Sequence, residues 1–329
     1  MRLDSLHIQN YKLFKDLEIP KLGQVNLITG KNNTGKTILL EALRIWASEG
    51  DASVVNNIIW KRGDWDPGSA LRTFSSLFSE QRISKLNGIT HIEYQYVSGE
   101  IFINNIQLIV NEDNTKKIDF YVRTQGFRPK DDVLINYWGL DRGDKEYPQD
   151  KAIFIPASID FDNKKLWSNI DLTDKKDRVI QILQIIEPSI IDIGIIDNTA
   201  RVRTKNSKIP VSLKNFGEGL NRLLTIAMAL VSAKDNLLLI DEIDTGLHYS
   251  VLEKLWEIIF EFSGQLNTQV FVTTHSADCV SAFSTIANRE KWHGKSNYLR
   301  LSRKEDNIIA VEYDIEELEM ALESNIETR

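Results

Sequence analysis

The stretch that decides the fold is residues 25–37, which read Val25-Asn26-Leu27-Ile28-Thr29-Gly30-Lys31-Asn32-Asn33-Thr34-Gly35-Lys36-Thr37. Its first part is a short apolar segment typical of a buried strand, and this segment ends at Gly30. Residues 36–48 then place apolar side chains at helical spacing. The sequence therefore predicts a strand, a glycine turn and a helix in direct succession.

The turn matches the pattern G-x-x-x-x-G-K-[ST], in which backbone N–H groups surround phosphate oxygens. Lys36 is placed to reach the β- and γ-phosphates, and the Thr37 hydroxyl to ligate Mg²⁺. The alternative is a glycine turn that matches the pattern by chance. The predicted strand before the turn and helix after it argue against this alternative. The predicted nucleotide-binding residues are Gly30, Lys31, Asn32, Asn33, Thr34, Gly35, Lys36 and Thr37.

Two adjacent acids follow an apolar run at residues 237–240. Carboxylates at the C-terminal end of a parallel strand lie where α/β sheets bind ligands. Asp241 is predicted to hold Mg²⁺ together with Thr37, and Glu242 to act as general base on the attacking water. A strand that merely runs into an acidic turn is the alternative, and the phosphate loop argues against it.

Composition limits the other classes of protein to which the chain could belong. The chain has 329 residues, of which 42% are hydrophobic, and a formal net charge of −7. An overall basic footprint for nucleic acid is absent, although a local patch stays open. The single cysteine excludes an intramolecular disulfide. Without an apolar leader or a run of roughly 20 apolar residues, we expect a cytoplasmic protein that does not enter a membrane.

The chain reads as one α/β domain over residues 1–329, with a mostly parallel core sheet in which strands and helices alternate. Residues 50–150 form a predicted insertion, a β-rich lobe in which antiparallel strands follow a helix at 70–86. Residues 151–329 supply the second half of the nucleotide site. The acidic C-terminal segment, 316–327, is predicted to be a solvated helix.

Three further segments complete an ordered set: a glycine pair opening a helix at residues 217–219, Asp244 directly after the acids, and His275 after another apolar strand. In this order the chain resembles the ABC-type P-loop ATPases, particularly the branch of OLD, RecF and SMC proteins. The opening residues 6–14 and the ending 316–323 are also similar to the compact bacterial OLD-like members, so the resemblance covers the whole chain.

This resemblance implies an ATPase that uses ATP and Mg²⁺. It implies that Gly217, Glu218 and Gly219, the signature loop, contact the γ-phosphate bound by another protomer, and that Asp244 belongs to the D-loop at that interface. It further implies that His275 senses the γ-phosphate beside the catalytic Glu242. Two features depart from the family pattern: Gly217 stands where a serine is usual, and no Q-loop glutamine is found.

Each copy then supplies the phosphate loop of one nucleotide site and the signature loop of the other, so two copies related by a two-fold axis complete both sites at once. The expected state is an ATP-dependent homodimer or a higher even oligomer. The resemblance to OLD proteins implies control of a separate nuclease or toxin effector in antiphage defence. A RecF-like DNA-repair ATPase and a nucleotide-gated scaffold with negligible hydrolysis are the alternatives. Direct DNA binding stays open, and the candidate cations are Lys116, Lys117, Arg123, Arg128, Lys130, Arg201, Arg203, Lys205 and Lys208.

Overall fold

The computed structural model describes residues 2–64, 76–79, 83–87, 93–103, 106–112, 118–124, 151–158, 163–196 and 199–323. Within them the strands are β1 (Leu6–Tyr11), β2 (Phe14–Ile19), β3 (Val25–Gly30), β4 (Ile83–Asn87), β5 (Glu93–Ile103), β6 (Ile106–Glu112), β7 (Ile118–Thr124), β8 (Ala152–Ile155), β9 (Ile190–Ile196), β10 (Thr199–Thr204), β11 (Ser207–Ser212), β12 (Leu237–Ile240), β13 (Gln269–Thr273), β14 (Ser296–Lys304) and β15 (Asn307–Tyr313). The helices are α1 (Lys36–Ala47), α2 (Ala52–Arg62), α3 (Lys164–Ser168), α4 (Lys175–Ile186), α5 (Glu218–Ser232), α6 (Leu252–Gln265), α7 (Ala277–Ala287) and α8 (Ile315–Glu323).

A six-stranded central sheet has the order β15-β14-β3-β13-β12-β8. Every neighbouring pair is parallel except β14 and β15. This confirms the predicted mostly parallel core sheet. Apolar residues run without interruption along β12 because helices cover both faces of a parallel sheet.

Two hydrophobic cores lie on opposite faces of that sheet. Leu237 and Leu239 pack with α1, α2 and the β1–β2 hairpin, whereas Leu238 and Ile240 pack with α4–α7. Alternate residues of one strand thus belong to different cores, as the two-residue repeat of a strand requires. The strands that lead to the phosphate loop and to the two acids therefore lie between two packed hydrophobic cores.

The β1–β2 hairpin continues into a second, antiparallel sheet with the order β2-β1-β5-β6-β7, in which β4 also pairs with β5. Ile8 pairs with Ile103 across β1 and β5. The predicted antiparallel strands of the insertion are therefore present in the described residues, and they extend the N-terminal hairpin. The assignment of residues 50–150 as one lobe stays a prediction. A third, three-stranded sheet has the order β11-β10-β9.

Residues 52–62, inside the predicted insertion, form α2, whose first turn is capped by the Asp51 carboxylate. Two local predictions need correction. The predicted helix over residues 70–86 is wrong in its described parts, because Phe78 in the turn at 76–79 bridges to Tyr11 and residues 83–87 pair as β4 with β5. Residues 70–75 and 80–82 lie outside the described part. The C-terminal helix is not solvated all round, since Leu318 is fully buried against the core.

Among the described residues, we find no helix that is both long and apolar enough to cross a bilayer.

Candidate active site

The predicted site residues meet at one edge of the central sheet. Strands β3, β12 and β13 are parallel neighbours, so their carboxyl ends lie side by side. The phosphate loop follows β3, the two acids follow β12, and His275 comes two residues after β13. The order of the strands therefore brings together three segments that are far apart in the sequence, at the edge where such sheets bind ligands.

The phosphate loop depends on glycine at two positions. Gly35 has φ +93°, and a Cβ there would lie 2.9 Å from the Phe14 ring of the β1–β2 hairpin. Gly30 has φ +143°, and a Cβ there would lie 2.5 Å from the Leu301 carbonyl oxygen. Only glycine fits both the backbone conformation and the space. Residues Lys31, Asn32 and Asn33 are exposed at the tip of the loop, while Thr34, Gly35 and Lys36 are buried.

Lys36 folds back over its own loop. Its Nζ donates to the carbonyl oxygens of Gly30 at 2.8 Å and Lys31 at 3.1 Å. Burial lowers the pKa of Lys36, and the nearby carboxylates of Asp241 and Glu242 oppose that shift. The ammonium is thus held by neutral carbonyls near two acids, an arrangement suited to exchanging those contacts for phosphate oxygens.

Asp241 joins the phosphate loop to β13. Its Oδ2 accepts from Thr37 Oγ1 at 2.9 Å, and its Oδ1 accepts from Thr273 Oγ1 at 2.6 Å. The carboxylate is buried, with 7% of its surface exposed. Thr37 and Asp241, predicted from separate motifs to share Mg²⁺, are therefore in direct contact.

Glu242 turns out of the strand in a left-handed conformation, with φ +47°. Its backbone N–H donates to Thr273 Oγ1 at 2.8 Å. The carboxylate is partly exposed, and its Oε1 lies 3.9 Å from His275 Nε2. Burial and the Lys36 ammonium lower the pKa of His275, against the carboxylates of Glu242, Asp244 and Asp241. An acid and an imidazole thus face the same space beside the phosphate loop, as a general base and a phosphate sensor require.

Asp244 is placed by the segment that carries His275. Thr274 Oγ1 donates to Asp244 Oδ1, and the same hydroxyl accepts from the Ser276 backbone N–H at 3.0 Å. Hydrogen bonds therefore join the predicted D-loop residue to the segment on either side of the predicted switch histidine.

The predicted signature residues lie at the start of α5. Gly217 has φ +96° and precedes the helix, while Glu218 and Gly219 begin it. An apolar cavity of about 360 Å³ lies beside this turn and is lined by residues of α4, α5, α6 and residues 246–248. No residue of the phosphate loop, 30–37, contributes to its lining. The signature loop thus borders a cavity that the phosphate loop of the same chain does not line.

Two residues of the site carry no prediction from the sequence. Thr273 is fully buried and binds both Asp241 and the backbone of Glu242. Arg222 is 5% exposed and donates to the carbonyl oxygens of Pro156, Asp241 and Glu242. Thr273 ends a strand at the site edge, and Arg222 is a cation among the apolar residues of α5. Those positions are the signals that would have revealed them.

The residues present fit Mg²⁺. This ion is usually held by one or two protein oxygens, with water and substrate phosphates completing the octahedron. The Thr37 hydroxyl and the Asp241 carboxylate provide such a pair. In the described residues no cluster of three or more His, Cys, Asp or Glu ligands forms a closed metal site, and a nucleotide-linked Mg²⁺ needs none.

Comparison with known proteins identifies the family. A family model described as "AAA domain, putative AbiEii toxin, Type IV TA system" matches residues 25–280. This span runs from β3, before the phosphate loop, into α7, after His275. The chain belongs to this AAA family. It is an ABC-type P-loop ATPase of the RecF- and SMC-like branch, as its motif order and fold predict.

Relatives of this ATPase support that placement. An ATP/GTP phosphatase of Helicobacter pylori is 24% identical over 366 aligned residues that cover 98% of each protein. The DNA replication and repair protein RecF of an Exiguobacterium species is 30% identical over 129 residues, 34% of this chain and 32% of RecF.

Solved structures show the same fold. The SMC head domain of Thermotoga maritima aligns with a TM-score of 0.53 at 14% identity, over 95% of this chain and 100% of that one. The Smc head domain of Pyrococcus furiosus with an extended coiled coil, bound to the C-terminal domain of ScpA, gives 0.53 at 12% identity over 98% of both chains. The α/β architecture with a mostly parallel central sheet is thus that of an SMC head.

Proposed function

We propose that this ATPase is a clamp: two copies close around two ATP molecules, and hydrolysis releases them. The observation that carries the proposal is the division of the site. Phosphate loop, metal carboxylate and general base converge at one sheet edge, while the signature loop borders a cavity that this phosphate loop does not line. A second copy brings its signature loop to the open side of the phosphate loop, and two-fold symmetry completes both sites together.

Each predicted residue has a role in this proposal. Residues 30–37 surround the triphosphate, and Lys36 exchanges its carbonyl partners for phosphate oxygens. Glu242 accepts a proton from the attacking water, while His275 holds the water and γ-phosphate in place. Thr37 and Asp241 would hold Mg²⁺, which would supply positive charge to the phosphate oxygens. The exposed N–H groups at the start of α5 bind the γ-phosphate of the other protomer.

The first prediction tests the clamp. Glu242→Gln retains the shape of the side chain but removes the base, so ATP binds and is not hydrolysed. We expect this variant to elute as a dimer with ATP and Mg²⁺ and as a monomer with ADP, as measured by size-exclusion chromatography with light scattering. Lys36→Ala is the matched control, because it loses the phosphate contact and should stay monomeric in both nucleotides. A monomeric Glu242→Gln protein at saturating ATP contradicts the clamp.

We further propose that the clamp controls a separately encoded effector, a nuclease or toxin, in antiphage defence. The support is the family to which the chain belongs, whose description refers to a toxin of a Type IV toxin–antitoxin system. Purification of the tagged protein from its own operon tests this, with the Glu242→Gln variant used to hold the closed state. Co-elution of a nuclease or toxin with ATP, and its loss with ADP, is the expected result.

A RecF-like clamp on DNA is the second candidate, favoured by the partial match to RecF. Arg201, Arg203 and Lys205 are exposed on or beside β10, and Arg203 pairs with Asp192 at 3.4 Å. Of the other candidate cations, Lys116, Lys117, Arg128 and Lys130 lie outside the described residues. DNA-stimulated ATP hydrolysis without a partner would favour this candidate. A Glu242→Gln variant that dimerises, together with a wild-type protein that does not hydrolyse ATP, would instead favour the nucleotide-gated scaffold.

A further inference from the structure

Arg222 is a buried cation that connects the signature helix to the end of β12. It lies in the second turn of α5, four residues after the helix begins. Its Nη1 donates to the Pro156 carbonyl at 3.1 Å, and its Nη2 donates to the carbonyls of Asp241 at 3.1 Å and Glu242 at 3.3 Å. A guanidinium presents several donors in a rigid fork, so it holds these backbone oxygens in one arrangement.

The backbone that Arg222 grips is the one that aims the general base. Glu242 is left-handed, a conformation that costs energy for a residue with a side chain and persists only where neighbours enforce it. Thr273 Oγ1 binds its N–H and Arg222 binds its carbonyl, so one neighbour holds each side of the residue. The direction of the Glu242 carboxylate thus depends on where α5 places Arg222.

The guanidinium is also not fully satisfied by these contacts. Its Nε is buried and has no hydrogen-bond partner among the described residues. Burial lowers the pKa of Arg222, while the carboxylates of Asp241, Asp244 and Glu242 raise it. A buried cation that donates to neutral carbonyls is costly, so packing alone is a poor explanation for an arginine at this position.

We propose that Arg222 is a positioning residue that transmits engagement of the signature loop to Glu242. The inference rests on the proposed clamp, in which the partner's nucleotide binds the first turn of α5. A shift of that turn on closure moves Arg222 with the helix, and Arg222 moves the Glu242 carbonyl. The base then reaches its hydrolytic position only in the closed dimer, so pairing and hydrolysis are linked within each chain.

The experiment compares Arg222→Met, Arg222→Lys and an exposed control on α4, Arg178→Met. ATP hydrolysis per chain is measured as a function of protein concentration. Nucleotide affinity is measured with a fluorescent ATP analogue. Dimerisation is measured by light scattering after Glu242→Gln has been added to each variant. For the wild type, hydrolysis per chain should rise with concentration as dimers form. Arg222→Met should dimerise and bind the analogue within about threefold of wild type, yet lose 10- to 100-fold in kcat and its concentration dependence. Arg178→Met should behave as wild type.

Arg222→Lys places an ammonium near the same carbonyls and should recover part of the lost kcat without altering analogue affinity. If Arg222→Met does not fold, the same measurements on Arg222→Lys decide, with reduced kcat and unaltered dimerisation expected. Wild-type kcat in either folded variant overturns the inference, as does failure of the lysine variant to fold, which would assign the arginine to stability. A wild-type protein that never dimerises with ATP would instead refute the clamp, so the two failures are distinct.

Discussion

At the scale of single residues, the site depends on hydroxyl groups as much as on the acids. Thr273 gives one oxygen two tasks, donating to Asp241 and accepting from the Glu242 N–H. Thr274 does the same between Asp244 and Ser276. Each hydroxyl binds a carboxylate and a backbone N–H at once, so the consecutive residues Thr273 and Thr274 orient Asp241, Glu242 and Asp244 together.

Removing the Thr273 hydroxyl should therefore harm both activity and stability. Thr273→Val retains shape but leaves a buried carboxylate oxygen and the Glu242 N–H without this partner, at a cost of about 1–3 kcal/mol in free energy of unfolding. We expect kcat for ATP to fall about 10- to 100-fold. Urea denaturation and a phosphate-release assay measure the two effects. Thr273→Ser should retain most activity, and Thr285→Val on the exposed face of α7 is the matched control. Normal turnover in Thr273→Val would contradict the assigned role.

His275 should be neutral at pH 7 in the free chain, because burial and Lys36 lower its pKa. Its contribution to folding is then present above the unfolded pKa and is lost as pH falls through the folded pKa. Bound nucleotide adds negative charge and offsets Lys36, so the pKa of His275 should rise. Histidine NMR titration measures it, with the His275→Gln spectrum identifying the signal. An identical titration with and without a non-hydrolysable ATP analogue would exclude contact with the γ-phosphate.

At the scale of elements, the glycine positions separate packing from function. Gly35→Ala puts a methyl group against Phe14 in a left-handed backbone, so it should strain the phosphate loop and abolish nucleotide binding. Gly264→Ala in α6 meets nothing within 4 Å and should stabilise the chain by up to about 1 kcal/mol. Thermal unfolding and binding of a fluorescent ATP analogue measure both variants. Intact nucleotide binding in Gly35→Ala would mean that the loop has room to relax.

Elements with a local signal were predictable and those defined by distant partners were not. β3, α1 and β12 follow from apolar runs, glycine and helical spacing that each segment carries itself. β4 forms because it pairs with β5, and no periodicity within residues 83–87 announces that partner. Asp51 caps α2 through the N–H groups of Ser53 and Val54, so this helix does carry a local N-terminal signal in the sequence. Leu318 is buried by contacts with α7 and the core, which an acidic sequence conceals.

The site itself divides in the same way. Phosphate loop and acids follow from motifs whose chemistry demands those residues at that spacing. Thr273 binds the Asp241 carboxylate and the Glu242 N–H, and Arg222 binds three backbone carbonyls. Strand order and helix packing bring these partners together, so the sequence marks the positions of the two residues but not their partners. The sequence thus predicts the residues for nucleotide chemistry, whereas the contacts that orient those residues become visible only in the fold.

At the scale of the whole molecule, the six-stranded central sheet and the antiparallel sheet contain different parts of the chain. The central sheet carries the nucleotide residues on its carboxyl edge, and the antiparallel sheet grows outward from the β1–β2 hairpin. The hairpin belongs to both parts: Phe14 packs against Gly35 of the phosphate loop, and Ile8 and Gln9 pair with β5. The described strands of the insertion are therefore anchored to the catalytic half through a single hairpin.

The β1–β5 junction indicates where the outer strands of this chain can be exchanged. Main-chain pairing joins the two strands, and the paired residues Ile8 and Ile103 are both fully buried in the core that also contains α1. A transplanted sheet that retains this isoleucine pair and its register should therefore leave the phosphate loop undisturbed, which makes the junction a rational site for grafting.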